Sequence, residues 1–144
     1  MLNQRRARFG MRPLRYNRCL DLAAERHARD MVARHYFDHS SSTGRDLTQR
    51  ARAAGYVPRA GSWRVGENLA WGVGPGSTAR GAVLDWMRSP PHRANVLQPR
   101  YHDVGVAVVH GAPVPDALGR LARAGAATFV AEFGARTAAH RCGR

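Results

Sequence analysis

The chain has 144 residues, 44% hydrophobic and 23% charged, enough for one domain with a buried core and too apolar for a disordered chain. Its 23 basic residues, all arginine, oppose 10 acidic ones for a net charge of +13. No apolar run nears the ~20 residues that span a bilayer, which excludes an integral membrane protein, and the polar stretch after Met1 predicts no secretory signal within these residues.

The charge predicts non-specific attraction to polyanions. It is spread along the chain, not gathered in a tail, and it also follows where arginine serves as the default cation. Leu2 to Phe9 is Arg-rich with helical spacing, and Gly10 is a stop signal. Asn17 can cap the clearest helix, in which Leu20, Ala23, Ala24, His27, Ala28, Met31 and Val32 form one apolar stripe. The pattern fades at His35 to His39, and residues 40–44 read as a loop. Asp46 can cap a third helix through Leu47, Ala51 and Ala54. Residues 56–66 read as loop, and Glu67 to Trp71 as a short strand.

Ser77 is the expected cap of a fourth helix that buries Ala79, Ala82, Val83, Trp86 and Met87, with Pro90-Pro91 ending it. His92 to Leu97 allows one more turn. Asp103 to His110 alternates, placing Val104, Val106, Val108 and His110 on one face. Ala127 to Phe133 is the last strand. Two strands joined directly favour antiparallel pairing, and helices first with strands last predict an α+β fold. The connection 111–126 is long for a compact domain, with Leu118 and Leu121 able to form a helical turn. Cys19 and Cys142 allow one bridge, worth roughly 4–5 kcal/mol in the chain-entropy model, or two free thiols.

No phosphate loop, G-x-S-x-G elbow or H-E-x-x-H is present. The chemistry rests on histidines and carboxylates. His27 lies on an apolar stripe and reads as a core histidine with one hydrogen bond. His35 and His39 have i, i+4 spacing, but the helix is failing there. His39 sits in a polar loop on a helical scaffold. Glu67 opens a strand where a carboxylate is costly to bury unless paired. His92 follows two prolines. Spacing alone does not bring these three together. Trp63, Trp71 and Trp86 sit in apolar or loop settings, which weakens a nucleic-acid reading.

Residues in a fixed order carry a resemblance. They are Asn3-x-x-Arg6, Tyr36-Phe37-Asp38-His39-Ser40, Gly66-Glu67-Asn68-Leu69-Ala70, Trp86-Met87-x-Ser89-Pro90-x-His92-Arg93-x-Asn95 and Phe133-Gly134. On these motifs the chain resembles the CAP superfamily of cysteine-rich secretory, antigen 5 and pathogenesis-related-one proteins, in its bacterial SCP-like form. The resemblance implies one CAP domain over residues 1–144, an α-β-α sandwich with a mostly antiparallel central sheet between helices. It implies a cleft where His39, His92 and Glu67 meet. Ser89 stands where eukaryotic members carry a second glutamate.

Two imidazoles and a carboxylate suit a divalent metal, zinc foremost, with water completing the shell. With one carboxylate fewer, affinity should be weaker, and acid should expel the ion. Asn68 is expected to hold loop backbone, and Asp38 and Ser40 to orient the His39 ring. The resemblance implies an extracellular or cell-envelope monomer, a binding module whose His39, Glu67, Asn68, Ser89 and His92 cleft takes a small lipid-like or cell-wall ligand. The alternative is a metal-assisted hydrolase with Glu67 as general base.

Overall fold

In the computed structural model, which describes residues 1–115, 125–138 and 142, the Asn17 side chain accepts from the backbone N–H of Cys19 and Leu20. It thereby satisfies donors that a helix start leaves orphaned and begins α2 (Arg18–Arg34). The described residues also form α1 (Leu2–Arg8), β1 (Arg15–Tyr16), α3 (Leu47–Ala53), β2 (Trp63–Val73), α4 (Ala79–Arg88), α5 (Pro90–Val96), β3 (Asp103–His110) and β4 (Ala126–Arg136). The sheet order is β1-β3-β4-β2. β1 runs parallel to β3, while β3–β4 and β4–β2 are antiparallel.

The layers are helix, sheet, helix. Ala24, Ala28 and Met31 of α2 pack on Leu69, Ala107 and Val130 from one side. Ala82, Val83 and Trp86 of α4, with Val96 of α5, pack on Phe129, Ala131 and Phe133 from the other. β4 is central, and its residues from Ala126 to Gly134 are all buried. The outer edge of β2 is covered: the Asn95 amide donates to the Glu67 carbonyl at 3.0 Å and the Trp86 indole N–H to the Leu69 carbonyl at 2.9 Å. Capped carbonyls of this kind are withheld from pairing with another strand.

α2 approaches β3 so closely that a Cβ on Gly105 would strike the backbone at Leu20 and Asp21. This decides which face of the alternating β3 is buried. Gly105 and Ala107 form the buried face, while Val106 and Val108 are exposed on the other. Arg6, fully buried, donates to the carbonyls of Arg12, Val96, Gln98 and Tyr101 and ties α1 to the end of α5. Cys19 and Cys142 form a disulfide, which settles the alternative the sequence left open.

Several expected boundaries shift. Thr78, not Ser77, caps α4 by accepting from the Gly81 N–H. Ser77 closes a 3-10 turn over Gly74–Ser77, since of two adjacent hydroxyls only one reaches the helix. Pro90 starts α5 rather than merely ending α4, because the first helical position needs no N–H donor. β2 begins at Trp63, inside the expected loop, where pairing with β4 supplies partners that local sequence does not reveal. The parallel pair β1–β3 was not expected. The proposed turn at Leu118 and Leu121 lies outside the described residues.

Candidate functional site

Glu67 is held by its neighbours in sequence. Gly66 leaves the space that the Tyr101 hydroxyl and Asn95 Oδ1 occupy. Asn95 Nδ2 donates to Asn68 Oδ1 at 3.0 Å as well as to the Glu67 carbonyl, and Asn68 Nδ2 donates to the His92 carbonyl at 2.9 Å. The Gly66-Glu67-Asn68 segment of β2 is thus locked to α5, and Asn68, expected to hold loop backbone, bonds helix backbone at His92 instead.

α2 ends at His35, whose left-handed conformation (φ 58°) turns the chain. The turn breaks the i, i+4 relation between His35 and His39 and sends His39 back over the sheet. There its Nδ1–H donates to Glu67 Oε1 at 2.8 Å. Arg50, from α3, donates through Nη2 to Glu67 Oε2 and through Nη1 to the His39 carbonyl, each at 2.5 Å. α3 is placed by a capping box in which Asp46 and Gln49 exchange bonds. The Glu67 side chain is 1% exposed and that of His39 61%. The Glu67 hydrogen bond raises the His39 imidazole above its ordinary value, outweighing its partial burial.

His92, in the first turn of α5, is bonded through Nδ1 to Ser89 Oγ at 2.8 Å. Burial lowers its imidazole, and the charge of His39 lowers it further. Ser89 therefore serves the imidazole next to it. His27 is a core histidine as expected. Its Nε2–H donates to the Asp38 carbonyl at 2.9 Å, and burial lowers it despite Glu67 Oε2 at 4.0 Å. Asp38 and Ser40 do not orient the His39 ring: the Asp38 carboxylate accepts from the Ser40 N–H at 2.6 Å. Asp30 accepts from Tyr36, Ser42 and Arg34, and these bonds outweigh burial to hold its carboxyl at about 2. The loop after α2 is pinned by that carboxylate.

Glu132 was not foreseen. It is the Cα partner of Glu67 across β2–β4 and is fully buried. Among the described residues neither of its oxygens has a hydrogen-bond partner, and Arg50 Nε lies 4.0 Å away, itself unbonded. Burial, then the charge of Glu67, raises the Glu132 carboxyl well above the usual range, against a weaker pull from Arg50. No role for either is legible locally, although Arg50 with Ala54-Gly55-Tyr56 is among the family-matching residues: both roles are defined by strand register and helix packing.

The model of the family described as "CAP: Cysteine-rich secretory protein family" matches residues 1–130. The chain belongs to the CAP family. It is 30% identical over 114 residues to the uncharacterized protein YkwD of Bacillus subtilis (strain 168), a match covering 79% of this chain and 42% of YkwD. The chain thus spans less than half of that relative. An outer surface protein of Borrelia burgdorferi superposes with a TM-score of 0.72 at 18% identity, covering 94% of this chain and 87% of that one. An extracellular protein containing an SCP domain from Bacillus anthracis str. Ames gives 0.70 at 25% identity, over 92% of this chain and 37% of its own. The α-β-α sandwich is that of the family. No helix among the described residues is long and apolar enough to cross a membrane.

The metal set implied by the CAP resemblance is narrower on this chain. Among the described residues no group of three or more His, Cys, Asp or Glu is arranged to hold an ion. Both Glu67 oxygens are engaged, by His39 and Arg50, and the side chain is 1% exposed. What remains is Nε2 on each of His39 and His92, with each ring fixed through Nδ1. A carboxylate behind an imidazole is the usual support of a metal-binding histidine. Among the described residues the three-ligand set is not assembled.

Proposed function

We propose that this CAP domain is an extracellular binding module whose recognition surface is built on His39 and His92. Its ligand is a small lipid-like or cell-envelope molecule. A divalent cation, zinc foremost, is held weakly by the two Nε2 atoms with water completing its shell. The observation that carries the reading is an exposed imidazole bonded at 2.8 Å to a carboxylate that is 1% exposed. Burying such a carboxylate is costly, and groups held in this way concentrate at functional sites. The extracellular setting is supported by the Bacillus anthracis relative, named as an extracellular protein, and by the Cys19–Cys142 disulfide, a bond typical of oxidising compartments.

The alternative, a metal-assisted hydrolase with Glu67 as general base, loses support because the Glu67 side chain is 1% exposed and its oxygens already accept from His39 and Arg50. The proton acceptor that the geometry offers is His39 Nε2. Zinc titration by calorimetry, with imidazole shifts followed by NMR, tests the binding reading. Wild type should bind zinc with both His39 and His92 perturbed, and His92→Ala should lose at least ~10-fold in affinity, as when one of two anchoring ligands is removed. A muropeptide or fatty-acid titration should move the same two rings. Shifts confined elsewhere, or zinc binding unaltered by His92→Ala, would sink the reading. Turnover of an ester substrate abolished by both His39→Ala and Glu67→Gln would favour the hydrolase.

A further inference from the structure

One edge of β3 is left uncovered by the described residues. Gly111 N–H donates to the Ala126 carbonyl on the β4 side, whereas the Val104 carbonyl accepts from Asn17 N–H on the β1 side. Backbone groups alternate between the two edges of a strand, so Val104, Val106, Val108 and His110 turn theirs away from β4. β1 is 2 residues long and pairs only with Asp103 and Val104. The Val106 N–H is taken by Asp21 Oδ1 at 3.2 Å. Beyond that point, among the described residues, the Val106 carbonyl, both backbone groups of Val108 and the His110 N–H have no partner.

The side chains along this edge invite a neighbour. Val106 and Val108 are 41% and 51% exposed, and no charge or proline interrupts Val104 to Val109. Edges that stay single carry lysine, proline or an inward-pointing charge, or are covered. The open groups are also complementary to themselves. In an antiparallel pair with a twofold axis at Val108, the Val108 N–H of each copy meets the Val108 carbonyl of the other, and the His110 N–H of each meets the Val106 carbonyl of the other. Every open group is then used, and Asp21 keeps its bond to Val106. The pairing also stops in register. Val104, the next residue facing outward, is occupied by β1, and opposite it the other copy has left its strand at Gly111, whose φ of 119° turns the chain.

We infer that this edge joins two copies of the chain into a reversible dimer through antiparallel β3–β3 pairing. A twofold contact sets one patch against itself. Val108 packs on Val108 across the axis and Val106 beside His110, with no two like charges opposed. Area sets the strength. Two short edges and their valines fall below the roughly 1,200 Å² of a standard stable interface, and each copy carries a net charge of +13. The dimer is therefore weak, with a dissociation constant of about 10 µM to 1 mM, and it tightens as salt screens the repulsion. β3 lies on the far side of β4 from β2 and Glu67, so nothing here depends on the function proposed for the His39 surface. The monomer implied by the CAP resemblance becomes the dilute form of the protein.

The test is sedimentation equilibrium of the oxidised chain from about 10 µM to about 1 mM, in roughly 50 mM and roughly 500 mM salt, with amide exchange followed by NMR. Val108→Lys places two cations at the axis, and Val108→Pro removes the outward N–H without touching the ladder to β4. Val73→Lys is the control, at a valine 53% exposed at the end of β2. Thermal melts establish that each variant is folded, and Val108→Lys carries the test should Val108→Pro unfold. Mass should rise toward the dimer with concentration, and the dissociation constant should fall several-fold at the higher salt. Both Val108 variants should weaken it at least ~10-fold, and Val73→Lys should leave it unchanged. The Val108 and His110 amides should exchange slowly in the concentrated sample and fast on dilution, while that of Val106, held by Asp21, does not respond. A chain that stays monomeric at the highest concentration in both salts would overturn the dimer, as would a dimer indifferent to Val108→Lys. Val108 and His110 amides protected equally at every concentration would also overturn it, because the chain's own residues would then cover the edge.

Discussion

Glu67 and Glu132 face one another as cross-strand partners on β2 and β4, and of these two carboxylates the Arg50 guanidinium hydrogen-bonds Glu67 and not Glu132. The two carboxyl groups share a buried layer but not a fate. Glu67 has two hydrogen-bonded side-chain partners, while Glu132 has none among the described residues.

Glu132→Gln should stabilise the protein, and by more as pH rises. Burial raises the folded-state value of Glu132 above the ordinary 4.5, so the folded chain keeps a proton that the unfolded chain releases. That difference costs nothing below the ordinary value and grows as pH climbs above it. Melting curves at pH 4 and pH 8 should show little change at the lower pH and a gain of a few degrees at the higher. Equal effects at both would show that Glu132 ionises normally in the fold.

The His39–Glu67 pair has the opposite sense. The His39 imidazole is raised from 6.5 by its bond to Glu67. Its contribution is therefore complete below that ordinary value and fades as pH rises through the raised one. Glu67→Gln should bring the His39 titration, followed by NMR, down to or below 6.5. His27 acts the other way, because burial lowers it from 6.5: as pH falls below that value the unfolded chain takes up a proton that the folded chain refuses, and stability declines.

Arg50→Met should cost about 3–5 kcal/mol, the range for stripping one partner from a buried ion pair. The same change in a Glu67→Gln background should cost clearly less. Urea unfolding of the four proteins in the cycle measures the coupling, and additive losses would mean that Arg50 acts through its bond to the His39 carbonyl rather than through Glu67.

Reduction of the Cys19–Cys142 disulfide removes a large stabilising constraint. The bridge spans 123 residues of sequence, for which the chain-entropy model gives about 5 kcal/mol. Denaturant midpoints with and without a phosphine reductant should differ accordingly, while Cys19→Ala with Cys142→Ala should match the reduced wild type.

The helices were legible where periodicity and caps coincide, as at Asn17 and Asp46, and so was the central antiparallel pair. His39, Glu67, Asn68 and His92 were legible through family motifs and not through spacing. Glu132 and the role of Arg50 escaped because each depends on what the tertiary fold brings opposite. Arg50 is 17 residues from Glu67 and meets it only when α3 lies against β2. Trp63 read as a loop residue until β4 paired with it. The alternation of β3 was legible but its buried face was not: the close approach of α2 puts Gly105 and Ala107 inside and leaves Val106 and Val108 exposed.

That approach also restricts how this surface can change during evolution. Any side chain at position 105 would lever α2 off the sheet, and His27 with the turn at His35 would travel with it. His39 would then lose the bearing that points it at Glu67. A single methyl group, placed on the far side of the sheet from α5, would thus unmake the imidazole pair without touching either member.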